Sequence, residues 1–372
     1  MESLFLTAPP GLEPWLAQEA VDLGFAGVRE APGGVEAQGG AAEAMRANLH
    51  LRGATRVLRR VAVFPAAHPA QLDKRLRRLP WQRWLRPGVP VRVEATTRGS
   101  RIYHAGAAAD RAAQAAADLA GAPAAADADQ ADAEGVRVFL RVERNLVTLS
   151  LDATGAPLHR RGLKEAVGKA PLRETLAALL LRAAGWDGAS VVIDPMCGSG
   201  TLALEAAERR AGLAPGRARG FAFERWAGFD AEAWAAMRAA AEGAVPEAPL
   251  SLGFDRDAGA VERARANAAR AGLDRAALFE RLSVSDAAPP PGPPGLVICN
   301  PPYGERIGDR KALPALYGAF GEAMRARFSG WRVAMIATDA KLIGATGLPF
   351  GPPGPPVPHG PLKIRLWSCA LE

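Results

Sequence analysis

Four consecutive residues late in the chain could hold an amino group in a reactive geometry. Asn300, Pro301, Pro302 and Tyr303 directly follow residues 296–299, an apolar segment predicted to be a buried strand. The Asn300 side-chain carbonyl and the Pro301 main-chain carbonyl could accept both N–H bonds of an exocyclic amino group. That would favour the pyramidal nitrogen that attacks a methyl sulfonium. The prolines stiffen the loop, and an extruded base could stack on Tyr303. A Pro-rich turn with a capping asparagine is the structural alternative.

A second segment has the composition of a loop that binds a nucleoside cofactor. Residues 194–201 lie between a predicted strand, 191–193, and a predicted helix, 202–210. Glycines at such a turn let the backbone approach a ligand, and the helix N-terminus presents free N–H groups. The dinucleotide and P-loop glycine patterns are both absent, so a nucleotide triphosphatase is disfavoured and a tight structural turn is the remaining alternative. The candidate binding residues are Asp194, Pro195, Cys197, Gly198, Ser199, Gly200 and Thr201.

Two further acidic residues follow later predicted strands. Asp255 comes directly after residues 252–254, where a carboxylate can accept hydrogen bonds from ribose hydroxyls. Asp257 is the competing acid, and it lies farther past the strand end. Asp286 ends the strand-like segment 278–284 and could accept a hydrogen bond from an adenine amino group, or could be a loop residue before the prolines that follow. A methyl sulfonium is already activated, so this arrangement predicts S-adenosylmethionine as cofactor and no metal.

The elements that carry these residues alternate in the second part of the chain. Predicted strands and helices follow one another after Leu158, which is typical of a Rossmann-like, doubly wound α/β domain. The predicted strands are 191–193, 252–254, 278–282, 295–299, 331–337 and 362–366, and the predicted helices are 172–184, 202–210, 258–271 and 313–328.

The front of the chain shows a different, α+β pattern. A strand, two helices and a strand are predicted at 4–7, 14–23, 41–49 and 57–64, followed by a basic helix at 72–79, a strand at 89–96 and a helix at 110–119. Strands at 136–142 and 146–151 are predicted to form a hairpin that turns at Arg144 and Asn145. The acidic, low-complexity segment 123–134 is predicted to be a solvated loop.

Composition limits the remaining possibilities. The 372 residues are 49% hydrophobic, which is enough for two or three domains, and no apolar run is long enough to predict a membrane span. Cys197, Cys299 and Cys369 form no CxxC pair, which argues against a zinc site and a disulfide framework and favours a reduced cytoplasmic setting. The net charge of +7 favours a polyanionic partner.

The motifs together resemble the THUMP-domain RNA guanine-N2 methyltransferases, in particular those that modify large-subunit ribosomal RNA. The matching segments are 158–162, 170–174, 194–201, 300–308 and 360–363. The Asn-Pro-Pro-Tyr signature alone is shared by amino methyltransferases that act on adenine, cytosine, guanine or glutamine. The extension Gly304-Glu305-Arg306 and the front half narrow the resemblance to guanine N2. His359 stands where relatives often have asparagine.

The resemblance implies three domains and an RNA substrate. They are a ferredoxin-like domain at 1–65, a THUMP RNA-binding domain at 66–155, and a linker with the methyltransferase domain at 156–372. The implied reaction transfers methyl from S-adenosylmethionine to guanosine N2, most readily in 23S rRNA, by a cytoplasmic monomer. Some large bacterial members of the resembled family carry a second methyltransferase half. This sequence stops at Glu372, so only one methylation is expected.

Several alternatives stay open at this point. The substrate could instead be tRNA, and DNA or protein-glutamine amino methyltransferases share part of the signature, as would an RNA-binding protein with an inactive domain. Candidate RNA contacts combine basic residues with tryptophans, although a solvated basic face would look the same. They are Lys74, Arg75, Arg77, Arg78, Trp81, Arg83, Trp84, His159, Arg160 and Arg161. Trp226 and Trp234 are predicted to be packing residues.

Overall fold

Two mixed β-sheets organise the part of the chain that the computed structural model describes, which is residues 2–163, 172–241, 243–246, 248–302 and 312–372. The strands are β1 (Ser3–Thr7), β2 (Arg29–Ala31), β3 (Gly34–Gln38), β4 (Arg56–Pro65), β5 (Val91–Arg98), β6 (Val136–Glu143), β7 (Leu146–Asp152), β8 (Val192–Asp194), β9 (Ser251–Asp255), β10 (Ala277–Arg281), β11 (Leu296–Cys299), β12 (Arg332–Ala337), β13 (Val357–His359) and β14 (Leu362–Ala370). The helices are α1 (Glu13–Asp22), α2 (Ala41–His50), α3 (Pro69–Leu76), α4 (Ala105–Ala120), α5 (Ala128–Ala133), α6 (Glu174–Ala183), α7 (Thr201–Arg210), α8 (Ala231–Ala240), α9 (Ala258–Ala271), α10 (Leu313–Arg327) and α11 (Ala340–Ala345).

The chain divides into two compact units, each with one sheet. The N-terminal unit contains residues 1–8, 17–158 and 219–240, and the C-terminal unit contains residues 9–16, 159–218 and 241–372. Residues 219–240 therefore cluster with the front of the chain, although the predicted range of the methyltransferase domain included them. The predicted boundaries of the ferredoxin-like and THUMP domains stay predictions.

The sheet of the N-terminal unit runs through both predicted front domains. Its strand order is β2-β3-β1-β4-β7-β6-β5, because β4 pairs with β1 on one side and with β7 on the other. Leu4 and Leu6 of β1 are fully buried on one face, as the alternation of a half-buried strand requires. The predicted β6–β7 hairpin is confirmed, and it turns at Arg144 and Asn145 with φ of 50° and 63°. Positive φ at both central residues is the geometry of a type I′ turn.

One loop prediction for this unit was wrong. Residues 123–134 contain the short helix α5, which begins after Asp127. The Asp127 carboxylate accepts a hydrogen bond from the Gln130 amide at 2.8 Å and so caps the first turn. The prediction gave weight to the biased composition and overlooked this cap.

The tryptophans near α3 are core residues. Trp81 is 0% exposed and Trp84 is 5% exposed, and their rings pack edge to face with centroids 5.9 Å apart. The Trp81 indole N–H donates to the Leu76 carbonyl at 2.8 Å. The expectation that these two rings stack on RNA bases was therefore wrong, whereas the predicted packing roles of Trp226 and Trp234 are confirmed by their burial.

The sheet of the C-terminal unit has the predicted Rossmann-like organisation. Its order is β10-β9-β8-β11-β12-β14-β13, with parallel pairing from β10 to β12 and antiparallel pairing of β14 with both neighbours. Apolar side chains of the strands and of α10 form its buried core, including Ile193, Val297, Met335, Phe320 and Phe328. Among the described residues, no helix is long and apolar enough to cross a membrane.

The strand order reverses between β8 and β11. From β8 the chain proceeds outward to β9 and β10, and then returns to β11 on the other side of β8. Loops that leave the carboxyl ends of neighbouring strands diverge at such a switch point and open a crevice, where ligands of doubly wound folds bind. The predicted site residues Asp194 and Asn300 are the last residue of β8 and the first residue after β11.

Candidate cofactor and amino-group site

The loop between β8 and α7 is shaped by glycines that no other residue could replace without strain. Gly198 and Gly200 have φ of +54° and +84°, in the left-handed region, and Gly200 is the N-cap of α7. A Cβ on Gly200 would lie 2.8 Å from the Phe279 ring. A Cβ on Gly253, in the middle of β9, would overlap the same ring. Around Gly198, by contrast, the space that a Cβ would take is open, so the backbone there can be approached by a ligand.

Asp255 is the acid that faces this loop. Its Oδ2 accepts a hydrogen bond from the Gly198 amide at 3.0 Å, and its Oδ1 accepts one from the Asp257 amide at 3.0 Å. The Cys197 amide donates to the Phe254 carbonyl at 2.8 Å, which fixes the loop to the end of β9. Each carboxylate oxygen of Asp255 keeps a lone pair for a further donor such as a ribose hydroxyl.

Asp257, the competing acid, is the N-cap residue of the next helix. Its carboxylate accepts a hydrogen bond from the Gly259 amide at 2.9 Å and caps α9. The same carboxylate lies 3.7 Å from the Arg263 guanidinium. The Asp257 carboxylate is thus engaged at the start of α9.

Asp194 is a buried acid at the centre of the site. It is 2% exposed, and burial raises the pKa of its carboxyl group to about 8. A hydrogen bond from the Met196 amide partly offsets this shift, whereas the negative charge of Asp255 adds to it. A carboxyl group in this state favours a cationic ligand beside it, because a positive charge would stabilise the ionised form.

Asn300 presents an acceptor that lacks a donor. Its Oδ1 is buried and has no hydrogen-bond partner within the described part of the chain. A buried carbonyl without a donor costs about 1–3 kcal/mol, so such an atom is expected where a ligand donates to it. Pro301 is buried, and the Pro302 carbonyl accepts a hydrogen bond from the Tyr317 hydroxyl at 3.4 Å. The loop is thereby held against α10, with the Asn300 acceptor at the switch point.

Tyr303 and Asp286 are the two remaining predicted site residues. Tyr303 lies outside the described residues. Asp286 is exposed at the end of a 3₁₀ turn, Val284–Asp286, where its amide donates to the Ser283 carbonyl at 2.9 Å.

One supporting residue was missed by sequence reasoning. The side-chain amide of Asn267 donates to the Ser199 carbonyl at 3.1 Å and is 1% exposed. Arg270 donates to the Asn267 Oδ1 at 2.6 Å, so both ends of the amide are satisfied. The signal was present, since Asn267 lies on the face of α9 that Ala260 and Ala264 bury, where a polar side chain needs a partner.

Arg161 was proposed as an RNA backbone contact, and its burial contradicts that role. It is 5% exposed, and its guanidinium forms ion pairs with Glu205 and with Glu208, the latter at 2.6 Å. Both acids lie on α7, the helix that begins at the glycine loop. Arg161 therefore anchors the segment that precedes the site to the helix behind it. Arg160, in contrast, is exposed.

Comparison with known proteins supports a methyltransferase. Residues 161–348 match the family model of the RMKL-like methyltransferase domain, and residues 3–58 match that of the RlmL ferredoxin-like domain. The chain is 39% identical over 360 residues to the ribosomal RNA large subunit methyltransferase K/L of Syntrophotalea carbinolica, covering 92% of this chain and 50% of that protein. It thus spans about half of the length of that relative.

Two further relatives match along nearly their whole length. A candidate RNA methyltransferase of Synechocystis sp., slr0064, is 34% identical and is covered to 90%, with 92% of this chain. The crystal structure of SMU.472, a candidate methyltransferase complexed with SAH, superposes with a TM-score of 0.86 at 28% identity and covers 100% of this chain and 98% of its own. The glycine loop, the facing acid and the asparagine of the switch point lie within the matched methyltransferase region, and the chain belongs to the RMKL-like methyltransferase family.

Proposed function

We propose that the chain transfers a methyl group from S-adenosylmethionine to the exocyclic N2 amino group of a guanosine in structured RNA, with 23S rRNA as the leading substrate. The observation that carries the proposal is the buried Oδ1 of Asn300 at the switch point of the sheet, which has no hydrogen-bond partner in the described part of the chain. It is an acceptor placed where an amino group would have to donate.

The residues of the glycine loop fit the cofactor. S-adenosylmethionine carries a positive sulfur, an ammonium group and ribose hydroxyls. The buried carboxyl group of Asp194 would hold the positive end, and Asp255 would accept from the hydroxyls beside the Gly198 amide. The open space at Gly198 admits the cofactor against the backbone. The bound cofactor would supply a methyl group that needs no further activation.

Asn300 and Pro301 would act on the acceptor nitrogen. A base amino group is planar, because its lone pair is delocalised into the ring. When Asn300 Oδ1 and the Pro301 carbonyl accept its two N–H bonds, the lone pair is directed toward the methyl group and the nitrogen becomes pyramidal. The reaction then depends on positioning, which is a large contribution in reactions between two bound groups. Tyr303 and Asp286 would complete the base and adenine contacts.

The choice of RNA rests on the relatives and on charge. Two relatives carry names of RNA methyltransferases, and one of them acts on the large ribosomal subunit RNA. The net charge of +7 fits a polyanionic substrate. The choice of guanine N2 rests on the sequence resemblance. The extension at 304–306, which narrows that resemblance to guanine-N2 enzymes, lies outside the described residues.

Identification of the labelled nucleoside tests the proposal. The purified protein is incubated with radiolabelled S-adenosylmethionine and, separately, with protein-free 23S rRNA, 16S rRNA and total tRNA. Each RNA is then digested and its nucleosides are separated. N2-methylguanosine from 23S rRNA is the expected product. The same nucleoside from tRNA alone would change the substrate, and label in another nucleoside would overturn the guanine assignment.

A further inference from the structure

Five exposed side chains meet at one end of the sheet of the N-terminal unit. Arg98 ends β5, Arg101, Tyr103 and His104 lie in the loop before α4, and Arg144 lies in the β6–β7 turn. We call them the arginine–tyrosine cluster. None of them has a role in the site described above.

The backbone fixes the loop and the turn to each other. The Arg144 amide donates to the Arg98 carbonyl at 3.1 Å. The Arg101 amide donates to the Asn145 side-chain carbonyl at 2.9 Å, and the Asn145 amide donates to the Ser100 hydroxyl at 3.0 Å. Three bonds between the two segments hold the backbone that carries the cluster in one arrangement.

Tyr103 is an aromatic residue placed in solvent. It is 72% exposed, and its ring lies 4.2 Å from the His104 ring between centroids, at 43°. Its carbonyl accepts a hydrogen bond from the Thr97 hydroxyl at 3.0 Å, which fixes its backbone. Trp81 and Trp84, the other aromatic candidates in this unit, are buried. Tyr103 therefore offers a ring surface on which a base could stack.

The three arginines of the cluster are available to bind an anion. Arg98, Arg101 and Arg144 form no ion pair with any residue that the structure describes, whereas Arg77 next to α3 pairs with Asp73 and Asp118. Guanidinium groups without carboxylate partners attract phosphates most strongly.

An arginine-rich groove continues from the cluster across the open face of the same sheet. It has a volume of ≈ 1060 Å³, and Arg29, Arg60, Arg141 and Arg144 line it together with the exposed apolar side chains of Val63 and Leu146. Glu36 pairs with Arg29 and Arg60, and Glu143 pairs with Arg141, so two carboxylates offset part of the charge of four arginines. The exposed ring, the three guanidinium groups without an ion pair among the described residues and the net positive groove together fit a nucleic acid, whose bases stack on aromatic rings and whose phosphates bind guanidinium groups.

We propose that the arginine–tyrosine cluster is an RNA contact that stacks an unpaired base on Tyr103 and binds the flanking phosphates through Arg98, Arg101 and Arg144. The inference rests on the proposed function for the choice of RNA as the polyanion.

Binding of a defined RNA, without cofactor, tests the proposal. The probes are a labelled RNA stem–loop with an unpaired loop and a blunt RNA duplex of equal length, measured by fluorescence anisotropy at several salt concentrations. Tyr103→Ala should weaken stem–loop binding about fivefold or more, while Tyr103→Phe keeps the ring and the affinity. Duplex binding should respond little to either variant. Replacing Arg98, Arg101 and Arg144 by glutamine should lower the salt slope of binding by about 2.

A charge-matched control separates the cluster from net charge. Replacing the exposed Arg327, Lys341 and Lys363 by glutamine removes the same charge from the C-terminal unit, and this variant should keep the stacking-dependent preference for the stem–loop. Equal losses in the two triple variants, an unchanged Tyr103→Ala affinity, or no binding by the wild type would each overturn the proposal. If the wild type transfers methyl to RNA and Tyr103→Ala binds RNA as tightly as the wild type, the proposed RNA contact is wrong and the proposed function stands. Binding that depends on Tyr103 without any methyl transfer would leave the surface and remove the function.

Discussion

The chemistry proposed for this chain depends on a few atoms at the switch point of one sheet. Among the described residues, Asn300 Oδ1 has no hydrogen-bond donor and the Asp194 carboxyl group has no cationic partner, while Asp255 keeps lone pairs after its two backbone bonds. An acceptor, a buried acid and a hydroxyl-binding acid are complementary to an amino group and to a cationic nucleoside. Each of the three can be tested separately.

Asn300→Ala should abolish methyl transfer while the cofactor still binds. The lost carbonyl acts on the amino group of the base, and removing one preorganised hydrogen-bonding group of this kind costs about 100-fold or more in rate. Single-turnover methyl transfer and calorimetric affinity for S-adenosylmethionine measure the two effects. A variant with full activity would exclude Asn300 as the acceptor.

Asp255→Ala should weaken cofactor binding by about 1–3 kcal/mol, because hydrogen bonds to a charged acceptor are lost. Asp257→Ala is the matched control: it removes the cap of α9 and should cost about 1 kcal/mol of folding stability with little change in cofactor affinity. Calorimetric titration and urea unfolding give both numbers. The reverse pattern would assign the hydroxyl contact to Asp257.

The raised pKa of Asp194 predicts a pH dependence of stability. Its folded pKa of about 8 lies above the unfolded value of 3.8, so the folded state binds the proton more tightly. The stability from this group is complete below about pH 4 and is lost as the pH rises to about 8. The free energy of unfolding of the wild type, measured with urea, should fall over this pH window relative to that of Asp194→Asn, whose side chain stays neutral. Parallel profiles of the two proteins would contradict this. Added S-adenosylmethionine should reduce the loss, because its positive charge favours the ionised carboxylate.

At the scale of elements, the site is made by three strand ends and one helix start. The end of β9 packs against the glycine loop through the Cys197–Phe254 and Gly198–Asp255 bonds. The Phe279 ring of β10 fills the space beside Gly200 and Gly253. The glycine loop and β9 can approach β10 this closely only because neither position carries a side chain. A side chain at either position would separate the strands that bring the acids together.

Gly253→Ala should therefore destabilise the protein by about 1–3 kcal/mol through overpacking against Phe279. Gly344→Ala in α11 is the matched control, since nothing lies within 4 Å of its added Cβ and alanine favours a helix. Thermal unfolding compares the two variants. Adding Phe279→Leu to Gly253→Ala should recover part of the stability. A Gly253→Ala protein as stable as the wild type would mean that the ring moves aside at no cost.

At the scale of the whole molecule, each of the two units has its own sheet and its own basic or acidic features. The C-terminal unit contains the catalytic candidates and the buried ion cluster of Arg161, Glu205, Glu208 and Arg217. The N-terminal unit contains the exposed arginine–tyrosine cluster. Because Arg161 is enclosed by acids, the segment that contains it serves the fold of the C-terminal unit.

Arg161→Met should destabilise the C-terminal unit by about 3–5 kcal/mol, because it leaves Glu205 and Glu208 buried without their main counter-charge. Arg160→Ala, one residue earlier and exposed, should change stability by less than about 0.5 kcal/mol. Denaturant unfolding measures both. If Arg161→Met unfolded like the wild type and instead lost RNA affinity, the original sequence-based role would be restored.

The sequence by itself predicted what local patterns can encode. The alternation of strands and helices, the turn at Arg144 and Asn145, and the positions of residues 194–201, Asp255 and Asn300 after strands all follow from short-range periodicity and turn chemistry. A parallel sheet brings the carboxyl ends of its strands to one edge, so the sequence alone predicts that these residues lie close together.

Only the tertiary structure decided which side chains are available. Trp81, Trp84 and Arg161 were predicted to contact RNA because they lie beside basic residues. In the folded chain all three are buried, and Arg161 pairs with Glu205, which lies more than forty residues away in the sequence. The sequence could not show that Asn267 supports Ser199, or that Tyr103 and Arg144 share one end of the sheet. Burial and the choice of partners depend on long-range packing. Local patterns therefore encode the loops of the candidate site, whereas only the fold brings together the residues of the proposed arginine–tyrosine surface.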